Sequence, residues 1–448
     1  MLSKSKYVRG MNCRKSLWLY VHKKEDQEIS ESTQLIFSRG TSVGELARTY
    51  FPKGKNAVME PFPSFIAAKR TQSYIQAGLE TIYEATFVYN NTLVAVDILH
   101  KENGKWNLYE VKSTNSVKPE HFKDISIQYY VVKACGLEVG DAFLMHFNRE
   151  YVRKGAIDVQ QLFLPESVLP DVLALQAEIP AHLAELEVML KGEEPQIEMG
   201  GQCEKPYFCD YYNYCMRLNP QQKKENIILS NEPEVNTHEV RNFVNSVSYP
   251  ICYLDFETIM PGIPLFDESR PYQQIPFQYS LHYQETKESE LKHSAYLAES
   301  NLSIDPRRGL IEQLIKETAD ANTIFVYNIA FERTRLNEMK RDFPIYAEEL
   351  KSIIERLTDL IIPFRKKFYR TESMQSLYSI KVVLPILCPE LSYHSLEISD
   401  GMSASNAFLE LYYTNDKEHI LKVRDELLKY CHLDTLAMVK IWDVLKTV

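Results

Sequence analysis

The sequence has few cysteines and no long apolar run. Its 8 cysteines in 448 residues are too sparse for a disulfide-stapled scaffold. No apolar stretch approaches the roughly 18 residues that a membrane-spanning helix needs, and residues 1–9 lack the apolar core of a signal peptide. Internal repeats and low-complexity tracts are also absent. We therefore expect a cytoplasmic protein without a membrane partner, whose clustered cysteines are metal ligands or redox groups rather than disulfides.

Positive charge is not in excess either. The chain carries 51 Lys and Arg against 61 Asp and Glu, a formal net charge of -10, which argues against a protein that coats nucleic acid with its whole surface. A metal-dependent nuclease is compatible with this balance, because it needs clustered acids and only a local basic groove. With 45% hydrophobic and 25% charged residues, the composition is that of an ordinary globular protein.

Strand-like and helix-like patterns alternate in both halves of the chain, which predicts an α/β protein. A polar segment at residues 219–233 contains two prolines and resembles an exposed joint between domains. At about 150 residues per domain, the length allows three domains or two larger ones. We expect two: residues 1–218, then a linker with a short helix at 219–248, then residues 249–448.

One pair of acids lies on a hairpin whose register can be worked out. The Asn103-Gly104 pair separates two strand-like runs, and Asn-Gly is the strongest two-residue hairpin signal. That turn places Asp97 directly opposite Glu110, with Lys112 on the same face as Glu110. Facing like charges destabilise a sheet. One explanation is a divalent cation between the carboxylates, and the other is a solvent-exposed polar face in which Lys112 offsets the acids.

The acid, the hairpin and the Glu-Val-Lys that ends it resemble the PD-(D/E)XK nuclease core of the RecB type. The resemblance implies that Asp97, Glu110 and Lys112 are catalytic, with both carboxylates as metal ligands. It also implies an acid on an upstream helix, for which the sequence offers Glu45, and a later glutamine, for which it offers Gln128 on a helix beside the hairpin. Without the resemblance, Glu45 would be an ordinary surface acid and Gln128 a surface amide.

Four cysteines have a spacing that suits a metal centre. Five residues lie between Cys203 and Cys209 and again between Cys209 and Cys215, while Cys13 lies far upstream. Four thiolates complete the ligands of a [4Fe–4S] cluster or of a structural zinc ion. One early and three late cysteines resemble the iron–sulfur RecB-like nucleases, including the CRISPR-associated exonucleases, in which a cluster holds the ends of the nuclease domain together. We expect that cluster, with zinc and unligated thiols as alternatives. The remaining cysteines are expected to be small buried hydrophobes: Cys135, Cys252, Cys388 and Cys431.

The second half contains another set of acids. In the strand-like run at residues 251–258, the two-residue period places Asp255 and Glu257 on one face, among apolar neighbours. Two carboxylates at this spacing can share a metal ion, although many strand ends carry acids. Glu332 follows a second strand, in the first turn of a helix, where a purely structural acid would interact with the helix dipole.

Tyr430 and Asp434 lie four residues apart on one face of an amphipathic helix that we expect from about Lys417 to the C-terminus. Apolar residues such as Ile441 share that face, so Asp434 would be buried, which is unfavourable for a carboxylate without a partner or a metal. The alternative is that Asp434 caps a second helix beginning at Thr435.

These residues together resemble the DEDD exonucleases of the RNase H-like fold, in the variety that has a tyrosine. The resemblance implies that Asp255, Glu257 and Asp434 bind metal and that Tyr430 orients the attacking water. It implies a catalytic role for Glu332 as well, although the family has the shorter aspartate there. The combination of both halves resembles a bacterial family that fuses an iron–sulfur RecB-like nuclease to a DEDD exonuclease-like domain.

The expected function is exonucleolytic hydrolysis of DNA with Mg²⁺ or Mn²⁺, at two separate acidic centres. One alternative is an RNA-processing 3′–5′ exonuclease whose N-terminal half only binds substrate, and another is a non-catalytic iron–sulfur scaffold that binds nucleic acid. Two groups of basic residues could contact phosphate or could be solvated helix faces. One is the basic run at 365–370, and the other surrounds Cys13 and consists of Lys4, Lys6, Arg9, Arg14 and Lys15.

Overall fold

The computed structural model describes residues 1–29, 31–59, 65–218, 231–393 and 396–448, and only the backbone of residues 31–39. These residues form a mixed α/β structure with several sheets, as the alternating sequence pattern predicts. The chain divides into two compact units, Met1–Glu225 and Asn226–Val448. Within the described ranges, no helix is both long enough and apolar enough to cross a membrane.

The first unit is built on one sheet. Its strands are β1 (Leu2–Ser3), β2 (Lys55–Asn56), β3 (Thr81–Tyr89), β4 (Thr92–Glu102), β5 (Lys105–Val111), β6 (Val139–Phe147) and β7 (Phe163–Ser167). Its helices are α1 (Lys4–Asn12), α2 (Arg14–His22), α3 (Glu31–Arg48), α4 (Phe65–Gln76), α5 (Pro119–Ala134), α6 (Val159–Leu162), α7 (Leu169–Leu175), α8 (Ile179–Met189) and α9 (Tyr212–Leu218).

The strands of this sheet follow the order β2-β3-β4-β5-β6-β7, and β1 pairs with β4. Neighbours β3, β4 and β5 are antiparallel, whereas β5 and β6 are parallel. Parallel neighbours need a crossover connection, which α5 provides. Ile125, Ile127 and Val131 of α5 are fully buried in the core of the unit, and the helix therefore lies against the sheet beside β5.

The hairpin between β4 and β5 has the predicted register. The Asn-Gly turn at 103–104 has left-handed backbone at both positions, with φ of 49° and 82°, as its turn type requires. Beyond the turn, Ile98 pairs with Tyr109. The next step of this register brings Asp97 level with Glu110, so the prediction is confirmed.

A second tight turn, at 90–91, fixes the register of β3. It consists of two asparagines, and both have left-handed backbone, with φ of 42° and 59°. Ala85 pairs with Val96 across this hairpin, so Glu84 is level with Asp97. Glu84 itself has a φ of 49°, which residues other than glycine rarely adopt. Three adjacent strands thus each place an acid at the same level of the sheet.

The second unit has its own sheet and a two-stranded ribbon. Its strands are β8 (Glu234–Val235), β9 (Ile251–Ile259), β10 (Ile275–Gln284), β11 (Lys292–Leu297), β12 (Thr323–Val326), β13 (Leu357–Asp359) and β14 (Tyr369–Arg370). Its helices are α10 (Thr237–Asn245), α11 (Pro306–Glu317), α12 (Ala330–Asp342), α13 (Ala347–Glu355), α14 (Ile362–Arg365), α15 (Ile380–Leu387), α16 (Gly401–Leu411) and α17 (Lys417–Lys446).

Strand β9 is the centre of this sheet, whose order is β11-β10-β9-β12-β13. Because side chains alternate along a strand, β9 presents Leu254 and Phe256 to one face, where they pack in a core with α11, α12 and α13. Asp255 and Glu257 point to the opposite face. Helix α17 covers that face, and the side chain of Gln278 on β10 donates to the backbone oxygen of Leu427 at 2.8 Å.

Helix α17 confirms the predicted amphipathic helix and excludes its alternative. Asp416 caps its N-terminus, with a side chain that accepts hydrogen bonds from the backbone of Glu418 and His419, and the helix continues without a break through Asp434. The interpretation that Asp434 caps a second helix from Thr435 is therefore wrong. The buried stripe contains the residues expected there: Leu427, Tyr430, Cys431, Asp434, Ala437, Met438 and Ile441.

The four cysteines without ligand spacing differ in their environment. Cys252, Cys388 and Cys431 are buried, as expected. The same prediction is wrong for Cys135, which is exposed. The reason is its place at the C-terminal cap of α5, where the buried face of the helix has already ended.

Candidate active sites

Glu110 on β5 is the centre of the first group of polar side chains. Lys4 begins α1, which β1 holds beside β4, and its Nζ donates to both carboxylate oxygens of Glu110 at 2.9 Å. Lys112 Nζ donates to Glu110 at 2.8 Å and also to Asp124 on α5. Gln128, one turn further along α5, donates to Glu110 at 2.5 Å. The fold thus joins Glu110, Lys112 and Gln128, and adds Lys4 and Asp124 as unanticipated partners.

Asp97 lies at the edge of this group, and its pKa is shifted in the opposite direction from that of Glu110. One oxygen of Asp97 is 3.9 Å from Lys4 Nζ, and the other accepts a hydrogen bond from the Val111 backbone at 2.7 Å. Burial, followed by the charge of Glu110, raises the pKa of Asp97 to about 7. Burial acts in the same direction on Glu110, but Lys112 and Lys4 outweigh it and hold the pKa of Glu110 well below its usual range.

The acid expected from the upstream helix is not part of this group. Glu45 on α3 is exposed, whereas Arg48 of the same helix reaches the sheet and donates to Glu84 at 2.7 Å. Glu84 is level with Asp97, and its charge contributes to the raised pKa of Asp97. The sequence signal for Glu84 is the Asn-Asn turn at 90–91, which fixes the register of β3 as the Asn-Gly turn fixes that of β5.

The four spaced cysteines line one small cavity of about 20 Å³ in the first unit. No three of these sulfurs, all of which belong to the described residues, lie within 4.8 Å of one another. A tetrahedral zinc ion with Zn–S distances of about 2.3 Å needs sulfurs about 3.8 Å apart. The donor set therefore fits a larger group, such as a [4Fe–4S] cluster held by Cys13, Cys203, Cys209 and Cys215, better than a single zinc ion.

Ion pairs join the two ends of the first unit around these cysteines. Arg9 donates to both carboxylate oxygens of Asp210, at 2.7 and 2.8 Å. Lys15 and Lys23 contact the two oxygens of Glu194, at 3.1 and 3.2 Å. The basic residues near Cys13 are thus largely engaged by acids and do not form a rim of free cations; those with an acidic partner are Lys4, Arg9, Arg14 and Lys15.

Four acids of the second unit lie near one another. Asp255 and Glu257 come from β9, Glu332 from the first turn of α12, and Asp434 from α17. Glu257, Glu332 and Asp434 are only 6%, 2% and 6% exposed. Asp255 is close enough to the other three for their charges to act on it. The structure therefore brings together all four acids of the predicted set.

Burial raises the pKa of all four acids, and the charges of the other acids in the group add to the effect at Asp255 and Glu257. Burial, followed by Asp434, Glu257 and Glu332, raises the pKa of Asp255 well above its usual range. Burial and then Asp434 do the same for Glu257. Burial raises the pKa of Glu332 to about 8 and that of Asp434 to about 6. Within the described part of the chain no lysine or arginine bonds to any of the four. The nearby Lys381 donates instead to a backbone carbonyl at 2.6 Å.

Two tyrosines adjoin Asp434. Tyr393 Oη donates to Asp434 Oδ1 at 2.7 Å. Tyr430 lies one turn before Asp434 on α17, and its ring centre is 6.3 Å from that of Tyr393. Burial, followed by the charge of Asp434, raises the pKa of both hydroxyls far above the usual range, so both are donors at neutral pH. Tyr393 lies in the sequence between α15 and α16, where no periodicity indicates its role.

Cys431 touches the acidic group from α17. Its Sγ is 3.9 Å from an oxygen of Asp255. One oxygen each of Asp255 and Glu257 and the Cys431 sulfur all lie within 4.8 Å of one another. Burial raises the pKa of the Cys431 thiol well above its usual range, so the thiol stays protonated and donates to the carboxylate.

Asp359, at the end of β13, is a further acid near the group. Its Oδ1 accepts hydrogen bonds from the backbone nitrogens of Asn328 and Ile361, at 3.0 and 3.2 Å. Asn328 has a left-handed backbone with φ of 73°, which turns the chain between β12 and α12. Asp359 therefore braces the turn that presents Glu332, and its charge contributes to the raised pKa of Glu332.

The chemistry of this group suits a hard divalent cation. Buried carboxylates that repel one another are stabilised by a cation with oxygen ligands, as Mg²⁺ and Mn²⁺ prefer. One oxygen of Glu332 is buried and has no hydrogen-bond partner among the described residues. Asp255 and Glu257 would hold such a cation, and Asp434 and the free oxygen of Glu332 are available to it or to a second one.

Residues 252–379 match the family described as "Domain of unknown function (DUF2779)". This stretch includes Asp255, Glu257 and Glu332 and ends before α17. The match therefore covers the strands and the helix that carry three of the four acids, and its description names no activity.

The chain is also similar to three mycoplasma and ureaplasma proteins. "Uncharacterized protein MG366 homolog" of Mycoplasma pneumoniae is 30% identical over 209 residues, which are 42% of this chain and 31% of the relative. "Uncharacterized protein MG366" of Mycoplasma genitalium is 29% identical, over 46% of this chain and 33% of the relative. "Uncharacterized protein UU173" of Ureaplasma parvum is 28% identical, over 42% and 30%. The chain spans about a third of the length of the curated relatives it matches, so its function has to be argued from the sites.

Proposed function

We propose that the protein is a metal-dependent nuclease that hydrolyses DNA from strand ends, with one acidic centre in each unit. The first centre would be of the RecB-like PD-(D/E)XK type, and the second would be a DEDD centre on an RNase H-like fold. The observation that carries the proposal is the group around Asp255. Its four acids come from three separate elements, all have a pKa raised by burial, and have no hydrogen-bonded cation among the described residues. Packing alone gives no reason for such a group, because buried charges are unfavourable unless they are paired or metal-bound.

Metal ions at Asp255, Glu257 and Asp434 would supply a reactive hydroxide and stabilise the charge of the phosphate. The protein itself supplies orientation. The protonated Tyr430 hydroxyl can hold the attacking water by a hydrogen bond, which makes Tyr430 a catalytic residue. Tyr393 holds the carboxylate of Asp434 at 2.7 Å and is a positioning residue.

Glu332 supports the same function despite its extra methylene group. Its position in the first turn of α12 is braced by Asp359 through the turn at Asn328. Its buried oxygen without a partner is the kind of atom that a metal ligand presents before the ion binds.

The first centre would work with Asp97 and Glu110 as ligands and Lys112 beside the phosphate. Lys4 Nζ lies close to both carboxylates, at 2.9 Å from Glu110 and 3.9 Å from Asp97. A cation between them requires Lys4 to release Glu110, after which the ammonium group is free to contact the phosphate of the substrate. The cysteine-bound cluster would be structural, because it would join α2 to the segment at 203–215.

The pairing of Glu110 also favours one alternative. Lys4 and Lys112 already neutralise Glu110 without a metal. If that pairing persists with substrate bound, the first unit only grips nucleic acid, and the second unit is the sole exonuclease. An RNA-processing 3′–5′ exonuclease would then be the better description.

The test is incubation of the anaerobically purified chain with end-labelled single- and double-stranded DNA and RNA, with Mg²⁺, Mn²⁺ or EDTA. We expect DNA to be shortened from an end only when a metal ion is present. Cleavage of RNA alone would favour the alternative. Intact substrates under every condition would contradict the proposal that the protein is a nuclease.

A further inference from the structure

Three histidines meet on the sheet face that α17 covers, one strand nearer the edge than the acids. His282 on β10 and His293 on β11 are direct cross-strand partners. His432 comes from α17. The ring centres are 4.6, 4.9 and 4.3 Å apart, and each ring offers one nitrogen that lies within 4.8 Å of the other two. Side chains from three elements thus converge on one point.

Buried hydroxyl groups orient two of the three rings. Thr435 Oγ1 is 2.8 Å from His282 Nδ1, and Ser280 Oγ is 2.9 Å from His293 Nε2. The two hydroxyls are 2.7 Å apart, so they form one network. His282 and His293 therefore each have one ring nitrogen held by a hydrogen bond, as histidines that bind metal usually do.

The imidazoles are in the form that binds a metal ion. Burial, followed by the other two rings, lowers the pKa of His282 to about 3. Burial also lowers the pKa of His293 and of His432. Neutral imidazoles keep a lone pair on one nitrogen, which is the ligand atom for zinc and similar ions. Contact between the three rings would not by itself require one nitrogen of each ring to lie within 4.8 Å of the other two.

We propose that His282, His293 and His432 bind one divalent transition-metal ion, such as Zn²⁺, at a site distinct from the acids. Imidazole nitrogen suits zinc, whereas carboxylate oxygen suits Mg²⁺, so the two neighbouring sites select different ions. Three histidines leave a fourth tetrahedral position. Because His293 is exposed, that position is accessible to water.

The ion fastens α17 to the outer strands of the sheet. His432 follows Cys431, whose sulfur contacts Asp255, and precedes Asp434 by two residues. A bond from His432 to the ion therefore fixes how α17 lies over β9, and with it the positions of Tyr430 and Asp434. The proposal does not rest on nuclease activity, since it concerns metal content and the stability of the second unit.

The test is zinc content, measured by mass spectrometry on the full-length chain after Zn²⁺ loading and dialysis. The four spaced cysteines can also take up zinc, so the informative quantity is the difference between variants. His293→Ala removes an exposed ligand without opening the core, and His238→Ala, an exposed histidine on α10, is the matched control. We expect wild type and His238→Ala to hold one more zinc per chain than His293→Ala.

A second readout is the thermal transition of the second unit, which Zn²⁺ should raise in wild type and in the control but not in His293→Ala. If circular dichroism shows that His293→Ala is misfolded, His432→Gln decides the question with a side chain of similar size. Equal zinc content and equal thermal shifts in the wild type and the folded variant would overturn the proposal.

Discussion

The Lys4 ammonium group donates hydrogen bonds to both oxygens of Glu110, at 2.9 Å each. An ammonium group therefore lies where a divalent cation between Glu110 and Asp97 would be. At Asp255, in contrast, the described residues provide no hydrogen-bonded lysine or arginine. Lysine side chains neutralise the negative charge of the first acidic centre. The negative charge of the second centre has to be neutralised by bound protons or metal ions. The two centres should therefore respond differently to mutation, pH and metal.

Replacing Lys4 with methionine should make the first unit depend on a metal ion. The Glu110 side chain is 3% exposed and would retain only Lys112 as its cation. We expect a loss of stability in EDTA of about 1.5–3 kcal/mol, the contribution of a hydrogen bond to a charged group, and recovery with Mg²⁺. Calorimetry with and without Mg²⁺ measures both. Lys6→Met on the same helix is the control, and an unchanged transition in Lys4→Met would refute this role of Lys4.

The two tyrosines of the second centre should have separable roles. Tyr430→Phe keeps the buried ring but removes the hydroxyl that holds the water, so turnover should fall by roughly 10²–10⁴-fold with metal affinity nearly intact. Tyr393→Phe removes a hydrogen bond to Asp434 and should weaken metal binding as well as turnover. Mn²⁺ titration followed by rate measurement distinguishes the two. Wild-type rates in Tyr430→Phe would remove it from the catalytic residues.

The metal-free second unit should lose stability as the pH rises. Burial raises the pKa of Glu332 from 4.5 to about 8 in the folded state, so the unfolded chain releases this proton first. The stabilisation is therefore complete below the ordinary pKa and is lost as the pH rises to about 8. Asp434, with a pKa of about 6, contributes with the same sign over a lower range.

Urea unfolding in EDTA across that pH range measures the effect. Glu332→Gln cannot ionise, so it should flatten the dependence, as should Mg²⁺ in the wild type. An identical pH dependence in wild type and Glu332→Gln would show that Glu332 does not carry a raised pKa.

The cysteine cavity should contain an iron–sulfur cluster in protein purified without oxygen. Cys203→Ser should lose iron and sulfide and unfold at a lower temperature, because a bound metal group contributes folding free energy. Cys135→Ser, at an exposed cysteine far from the other four in sequence, should keep both. Zinc in place of iron in the anaerobic wild type would contradict the cluster.

Local signals in the sequence were sufficient for the elements that carry the acids. The Asn-Gly pair at 103–104 fixes the register of Asp97 and Glu110, because its turn geometry permits only that pairing. Likewise, the apolar period of α17 predicts that Tyr430 and Asp434 share its buried face. These predictions depend on neighbours within one hairpin or one helix, where spacing alone determines geometry.

Contacts between segments that are distant in sequence could not be predicted in this way, because they depend on how the elements pack. Lys4 reaches Glu110 only because β1 pairs with β4, and Tyr393 reaches Asp434 from the sequence between α15 and α16. The expected helix acid, Glu45, is exposed because α3 turns Arg48 toward the sheet instead. The three histidines carry no spacing signal, since their convergence depends on the pairing of β10 with β11 and on the docking of α17.

The most direct test of two acidic centres compares the nuclease activity of Asp97→Asn, Asp255→Asn and the double variant in Mg²⁺. Asparagine keeps the shape of each side chain and removes the charge that holds a cation, and Asp320→Asn, at an exposed acid, is the control. Each single variant should lose one cleavage activity and keep the other, and the double variant should lose both by about 100-fold or more. A double variant that cleaves at the wild-type rate would contradict the account, and single variants that each lose all cleavage would contradict the independence of the centres.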